Sequence, residues 1–124
     1  MPILSKKTKK LTKKLFDVDD EEICDNLSLN LSANLLGVGN ASTPPAMLAT
    51  KQMDKGDGKI TKGMAMLFVI NACGLQFVPT TIIGIRASIG SANPADVILP
   101  CLLTSLVTTA VGILLVNLCF WRKR

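Results

Sequence analysis

Leu27, Leu31 and Leu35 recur every four residues, and Asn26, Asn30 and Asn34 form a parallel row one position ahead of them. Both rows have helical period, which predicts a helix with one apolar face and one amide-rich face. Buried amides need polar partners, so such a helix calls for a wet or protein-lined interior on that side. The pattern stops at Gly37-Val38-Gly39-Asn40. Glycine frees the backbone to leave helical geometry, Asn40 tolerates the left-handed region, and Pro44-Pro45 can open a helix but cannot continue one. Residues 20–53 therefore read as a broken helix: it starts near Asp19 or Asp20, is interrupted from Gly37 to Thr43, and resumes from Pro44 through Met53. Asp19 is the expected cap, with Glu22 reaching back to it.

Met64 to Ile85 carries no charge until Arg86 and is long enough to cross a hydrocarbon core of about 30 Å. Asn71, Gln76 and Pro79-Thr80-Thr81 lie inside it and predict a kinked or discontinuous span. Val97 to Phe120 reads as a continuous transmembrane helix, closed by Trp121 as an aromatic anchor and Arg122-Lys123-Arg124 as a basic stop. Gly84 and Ser88, like Ala33 and Gly37, have the small size that lets helices approach closely. The fold class is all-α integral membrane, with two transmembrane helices plus a discontinuous re-entrant helical hairpin. Two regions follow: a basic segment over residues 1–18, and a membrane domain over 19–124 with its broken helix at 20–53, hinge at 51–63 and spans at 64–85 and 97–120.

Charge sharpens this picture. The net charge of +5 hides a segregation of lysines from Lys6 to Lys14, acids from Asp17 to Asp25, and almost nothing ionisable after Lys62 except Arg86, Asp96 and the C-terminal cluster. Leu4, Leu11, Leu15 and Phe16 can share one face of an interfacial helix lying on anionic headgroups, the alternative being a frayed basic tail. The basic flanks and the hinge lysines Lys51, Lys55, Lys59 and Lys62 are expected on the cytoplasmic side of a bacterial cell membrane. The broken segment must then enter and return on one face. A lysine run without interleaved aromatics points to lipid and away from nucleic acid. No cleavable signal peptide is expected, because the charged start runs into acids.

Other chemistries find little support. With no His, and with Arg86 and Asp96 the only charges near the apolar part, no acid–base pair or activated nucleophile can be assembled, so neither an enzyme nor a cofactor is expected. Cys24, Cys73, Cys101 and Cys119 lack metal-type spacing. Asp54-Lys55-Gly56-Asp57-Gly58 superficially resembles a calcium loop, but setting Gly58 at its invariant glycine puts Met53, Lys55 and Met64 where oxygen ligands are needed. A turn is expected instead.

The two interruptions are the candidate site. In a membrane, non-helical backbone persists only where it is buried in protein or faces a water-filled cavity. Asn30, Asn34, Gly37, Gly39, Asn40 and Thr43 from the first break are expected to line a polar cavity. Asn71, Gln76, Pro79, Thr80 and Thr81 from the second complete it. Neutral amides and hydroxyls suit a small neutral polar solute or water better than a bare ion. A second reading makes the breaks a docking surface for partner helices, with no solute.

Asn34-Leu35-Leu36-Gly37-Val38-Gly39-Asn40-Ala41-Ser42-Thr43-Pro44 resembles the signature of the spore maturation protein A family. Val69-Ile70-Asn71, Val78-Pro79-Thr80-Thr81, Ile85-Arg86-Ala87-Ser88 and Asn93-Pro94-Ala95-Asp96 with Pro100 resemble its later blocks. The resemblance covers most of Asp20 to Arg124. It implies an integral membrane protein of spore-forming bacteria, concerned with dehydration of the spore core and associated with spore maturation protein B. It also implies a gate-type domain, similar to those of nucleoside and ferrous iron transporters, here in an N-terminally short form. Cys73-Gly74 departs from the hydroxyl-bearing residues expected there.

Overall fold

The computed structural model describes the backbone of residues 2–122 and the side chains of residues 9–122. Leu4, Lys6 and Lys7, and the terminal Lys123 and Arg124, therefore lie outside the side chains described. The described chain is all-helical: α1 (Pro2–Phe16), α2 (Glu21–Leu35), α3 (Gly39–Met53), α4 (Lys62–Cys73), α5 (Thr80–Ser88) and α6 (Ile98–Trp121), with one 3-10 turn, Pro94–Val97, ahead of α6.

α1 is not a frayed tail: it packs on α2 and α4. Phe16 is 1% exposed and joins Leu27, Met66 and Ile70 in the core. Burying a side chain of this kind contributes about 1.5–3 kcal/mol. Lys9 pairs with Asp25 across α1 and α2. The hydrogen bond to Asp25 holds the Lys9 ammonium above the ordinary lysine value. This support is complete below the ordinary lysine range and is lost as alkaline pH passes the raised value.

α2 is capped by Asp20, whose Oδ1 accepts from the backbone N–H groups of Glu22 at 2.9 Å and Ile23 at 3.2 Å. The expected Asp19–Glu22 pairing is thus replaced by Asp20 alone. The leucine row turns inward, with Leu27 and Leu31 buried and Leu35 packed beside them. α2 and α3 form a hairpin: they pack closely, and Asn26 near the start of α2 donates to Gln52 near the end of α3 at 3.0 Å. Each arm has 15 residues, or ~22 Å at 1.5 Å per residue. That is short of a hydrocarbon core of about 30 Å.

The break between the arms is tighter than the sequence suggests. Helix resumes at Gly39 rather than Pro44, and both prolines lie inside α3. They remove the N–H groups that would bond the carbonyls of Asn40 and Ala41. Those two residues are exposed, so at membrane depth their carbonyls need water or another protein surface rather than lipid beside them.

The hinge consists of two side-chain-closed turns. Asp54 Oδ1 accepts from Gly56 N at 2.9 Å and Asp57 Oδ1 from Lys59 N at 3.1 Å, while Gly56 and Gly58 take positive φ. Both carboxylates accept from the backbone of their own loop, as a turn requires. Thr61 then caps α4 by accepting from Met64 N at 3.2 Å.

Residues 64–85 do not form one helix. α4 ends at Cys73, Gly74 takes φ 61° at its C-terminus, and α5 begins only at Thr80. α4 alone has 12 residues, ~18 Å, too short to span. Among the described residues one helical stretch, Pro94–Trp121, is long and apolar enough to cross a membrane, and little of it is buried in the protein. So much exposed apolar surface fits a helix that meets lipid. Arg86 ties α5 to the 3-10 turn, donating to Asp96 Oδ1 at 2.7 Å and to the Asn93 carbonyl at 3.4 Å.

One close approach of helices falls at a glycine that the sequence did not single out. α4 packs on α6 where a Cβ on Gly112 would lie 2.5 Å from Val69 Cγ1, whereas Gly84 faces open space. We predict that Gly112→Ala destabilises by ~1–3 kcal/mol, because a stiff β-branched neighbour cannot yield. Gly84→Ala should instead gain up to ~1 kcal/mol from helix propensity. Unfolding of the detergent-solubilised protein measures both, and equal effects would contradict this packing.

Candidate functional site

The two helix breaks touch. Gly37 sits at φ +71°, and a Cβ there would lie 2.1 Å from the Val78 carbonyl oxygen, so backbone packs on backbone with no room for a side chain. Phe77 N donates to the Leu35 carbonyl at 2.9 Å, and the Thr80 hydroxyl donates to the Gly37 carbonyl at 2.8 Å. Carbonyls that the first break strips of helical partners are thereby satisfied by the second. Pro79 is fully buried at this crossing. Gln76 Oε1 lies 3.4 Å from the position a Gly37 Cβ would take.

Beside the crossing, Asn30, Asn34 and Asn71 form an amide triad. Asn30, 1% exposed, donates to the Ser42 carbonyl at 2.7 Å and to Asn71 Oδ1 at 3.0 Å. Its own Oδ1 accepts from Asn71 Nδ2 at 3.2 Å and from Asn34 Nδ2 at 3.5 Å. Asn71 also donates to the Leu67 carbonyl at 2.8 Å, and its Oδ1 accepts from Asn34 Nδ2 at 2.6 Å. Because the Ser42 and Leu67 carbonyls can only accept, they fix which end of each amide is nitrogen. All the hydrogen-bonding capacity of Asn30 and Asn71 is thus engaged. Asn34 Oδ1 alone has no partner among the described residues, and it is not among the buried unpaired atoms. An accessible acceptor remains.

The other expected residues scatter. Gly39 begins α3, and its carbonyl accepts from the Ser42 and Thr43 hydroxyls at 2.7 and 3.4 Å. Asn40 and Thr81 are exposed and reach none of the triad. Thr43 and Asn71 stand on the rim of a groove of about 860 Å³ between α3 and α4, whose wall is mainly Met47, Ile60, Met64 and Phe68. The void beside the triad is therefore largely apolar, not the amide-lined cavity expected. Sequence reasoning missed Ser42, a buried residue whose carbonyl anchors the triad. The available signal was its place at the start of the second half-helix, opposite the asparagine row.

Neither α3 nor α5 has a side-chain cap at its N-terminus, and both begin beside the crossing. Their partial positive ends favour an oxygen atom nearby, while Asn34 Oδ1 favours a donor. No ionisable group belongs to this arrangement, and no cluster of three or more metal-binding side chains occurs among the described residues. What the geometry can do is hydrogen-bond a neutral group and hold two helix breaks in register.

No family model matches this chain, and no solved structure matches it. Spore maturation protein A of Bacillus subtilis (strain 168) is 32% identical over 98 residues, covering 77% of this chain and 50% of the relative. The chain thus spans about half the length of the curated relative it matches. That similarity agrees with the motif resemblance at the first break and the blocks that follow it. The chain belongs to the spore maturation protein A family.

Proposed function

We propose that this chain is a non-enzymatic integral membrane protein of spore maturation, acting in dehydration of the spore core beside spore maturation protein B. Residues 19–124 serve as a gate-type domain of the nucleoside-recognition kind. The observation that carries this reading is the crossing of two helix breaks next to a triad with one open acceptor. The α2–α3 hairpin enters and returns on one face, and α4 with α5 forms the second, interrupted crossing. α1, α3, α4 and α6 bring Phe16, Met53, Lys62 and Trp121 to a common end, which faces the cytoplasm. Measured from that end, the breaks lie ~18–22 Å deep, inside a core of about 30 Å. A small neutral solute carrying both donors and acceptors is held there, its donor on Asn34 Oδ1.

The test is reconstitution of the full chain with its partner in liposomes, with uridine binding and water flux as readouts. Asn34→Ala should weaken the solute readout roughly two- to tenfold, the loss of one hydrogen bond. Unchanged binding and flux would remove the site.

One observation favours a second reading, in which the chain is an assembly protein without a solute. The triad is almost wholly self-satisfied, and the groove beside it exposes Met47 at 68% and Phe68 at 74%. On that reading Met47→Ser with Phe68→Ser abolishes co-purification of the partner, while Asn34→Ala changes nothing.

A further inference from the structure

A second cavity, of about 550 Å³, opens where the ends of α1, α4 and α6 meet. Its polar wall holds Asp17, Lys62 and Asn117, and its apolar wall runs down α6 through Leu118, Leu114 and Ile113. Asp17 follows the last residue of α1, Lys62 is the first of α4, and Trp121 closes the cavity at the end of the apolar helix. Although both line this cavity, Asp17 and Lys62 form no ion pair with each other or with any described residue. Asp17 is also the only non-glycine residue at positive φ among those described, at 57°. Such a conformation is uncommon outside glycine, asparagine and aspartate, and it fixes the direction in which this carboxylate leaves the chain.

One anion and one cation, neither ion-paired among the described residues, share a cavity with an aromatic rim above and an aliphatic strip below. That is the complement of a lipid whose headgroup carries both signs. A free phosphate would leave Asp17 facing a like charge, and an anionic lipid would do the same. A phosphate next to a primary ammonium satisfies both walls, with the ammonium donating to Asp17, the phosphate on Lys62, and an acyl chain against Leu118 and Leu114. Tryptophan at this level suits the headgroup boundary.

We propose that this cavity is a binding site for a phosphatidylethanolamine-type phospholipid. The site rests on α6 being immersed in lipid but is independent of the amide triad.

Trp121 is the sole tryptophan and lines the cavity, so its fluorescence reports occupancy directly. The full chain is reconstituted in phosphatidylcholine vesicles containing a minor fraction of acyl-brominated phosphatidylethanolamine, phosphatidylglycerol or phosphatidylcholine. Quenching by any of them reports insertion of α6, whatever the headgroup preference. Brominated phosphatidylethanolamine is expected to associate roughly two- to fivefold more strongly than the other two, the worth of an interfacial charge pair. Asp17→Asn keeps a residue that tolerates positive φ while removing the charge, and should bring that preference down to the phosphatidylcholine level. Lys62→Gln should weaken phosphatidylethanolamine association as well. The proposal is overturned by equal quenching from all three lipids, by a preference for phosphatidylglycerol, or by a preference that survives Asp17→Asn. Full displacement by soluble phosphoethanolamine would also overturn it, since the apolar wall would then contribute nothing.

Discussion

Replacing Gly37 with alanine is expected to destabilise the protein by ~2–5 kcal/mol and to separate the two helix breaks. Two independent costs add. An L-residue held at φ +71° pays ~1–2 kcal/mol in the left-handed region. The new methyl must also displace the Val78 carbonyl oxygen, 2.1 Å from its ideal position, and overpacking of this kind costs ~1–3 kcal/mol. Backbone cannot rotate away as a side-chain tip can. Moving Val78 also pulls on the Phe77 N–H and Thr80 hydroxyl that satisfy the Leu35 and Gly37 carbonyls. Gly39→Ala is the control, since that glycine has open space around it and ordinary helical φ, and it should be close to neutral. Thermal or denaturant unfolding in detergent, followed by helical ellipticity, distinguishes them. Similar stabilities for the two variants would show that the breaks do not pack as described.

Asn30 should be nearly as sensitive, and its two informative substitutions should rank in a defined order. Asn30→Ala removes four hydrogen bonds at a site 1% exposed and strands donors and acceptors on Asn34, Asn71 and the Ser42 carbonyl. Each buried group left unpaired costs ~1–3 kcal/mol, and partial repacking brings the expected total to ~2–4 kcal/mol. Asn30→Asp keeps the shape but sets acceptor oxygens against the Ser42 carbonyl and Asn71 Oδ1, and buries a charge with no cation to meet it. It should be the worse of the two at neutral pH and should recover part of its stability on acidification. Burial raises the carboxyl's folded pKa, so protonation below that value relieves the penalty. If Asn30→Asp matched the native protein at neutral pH, the triad's hydrogen-bond directions would be wrong.

What could be read from the sequence was whatever local chemistry determines. The asparagine and leucine rows are set by helical period, and the first break by Gly37, so both were visible. The resumption at Gly39 was not, because the penalty of Pro44 and Pro45 was weighed without the packing of α3 on α2 and the exposure of the orphaned carbonyls. The second break showed itself at Pro79 but begins at Gly74, which ends α4 in a left-handed turn that an apolar stretch does not announce. Two close-approach glycines besides Gly37 were missed for a related reason. Gly63 and Gly112 stand in unremarkable surroundings, and their role depends on which helix arrives opposite them. Thr80 reaches Gly37 while Thr81, about 100° further round α5, turns away, so residues adjacent in sequence part company in space.

The meeting of the two breaks, proposed to lie inside the membrane, is the feature on which fold and site both depend. Leu36 and Phe77 are exposed residues flanking the Leu35–Phe77 backbone hydrogen bond, which makes Leu36→Cys with Phe77→Cys in a cysteine-free background the most direct probe. In membranes prepared without detergent, mild oxidation should link this pair rapidly, whereas Leu36→Cys at the tip of the α2–α3 hairpin with Ile60→Cys in the hinge beyond its other end should stay unlinked. Failure of the first pair to link, equal linking of both, or recovery of the protein in the aqueous fraction would contradict it.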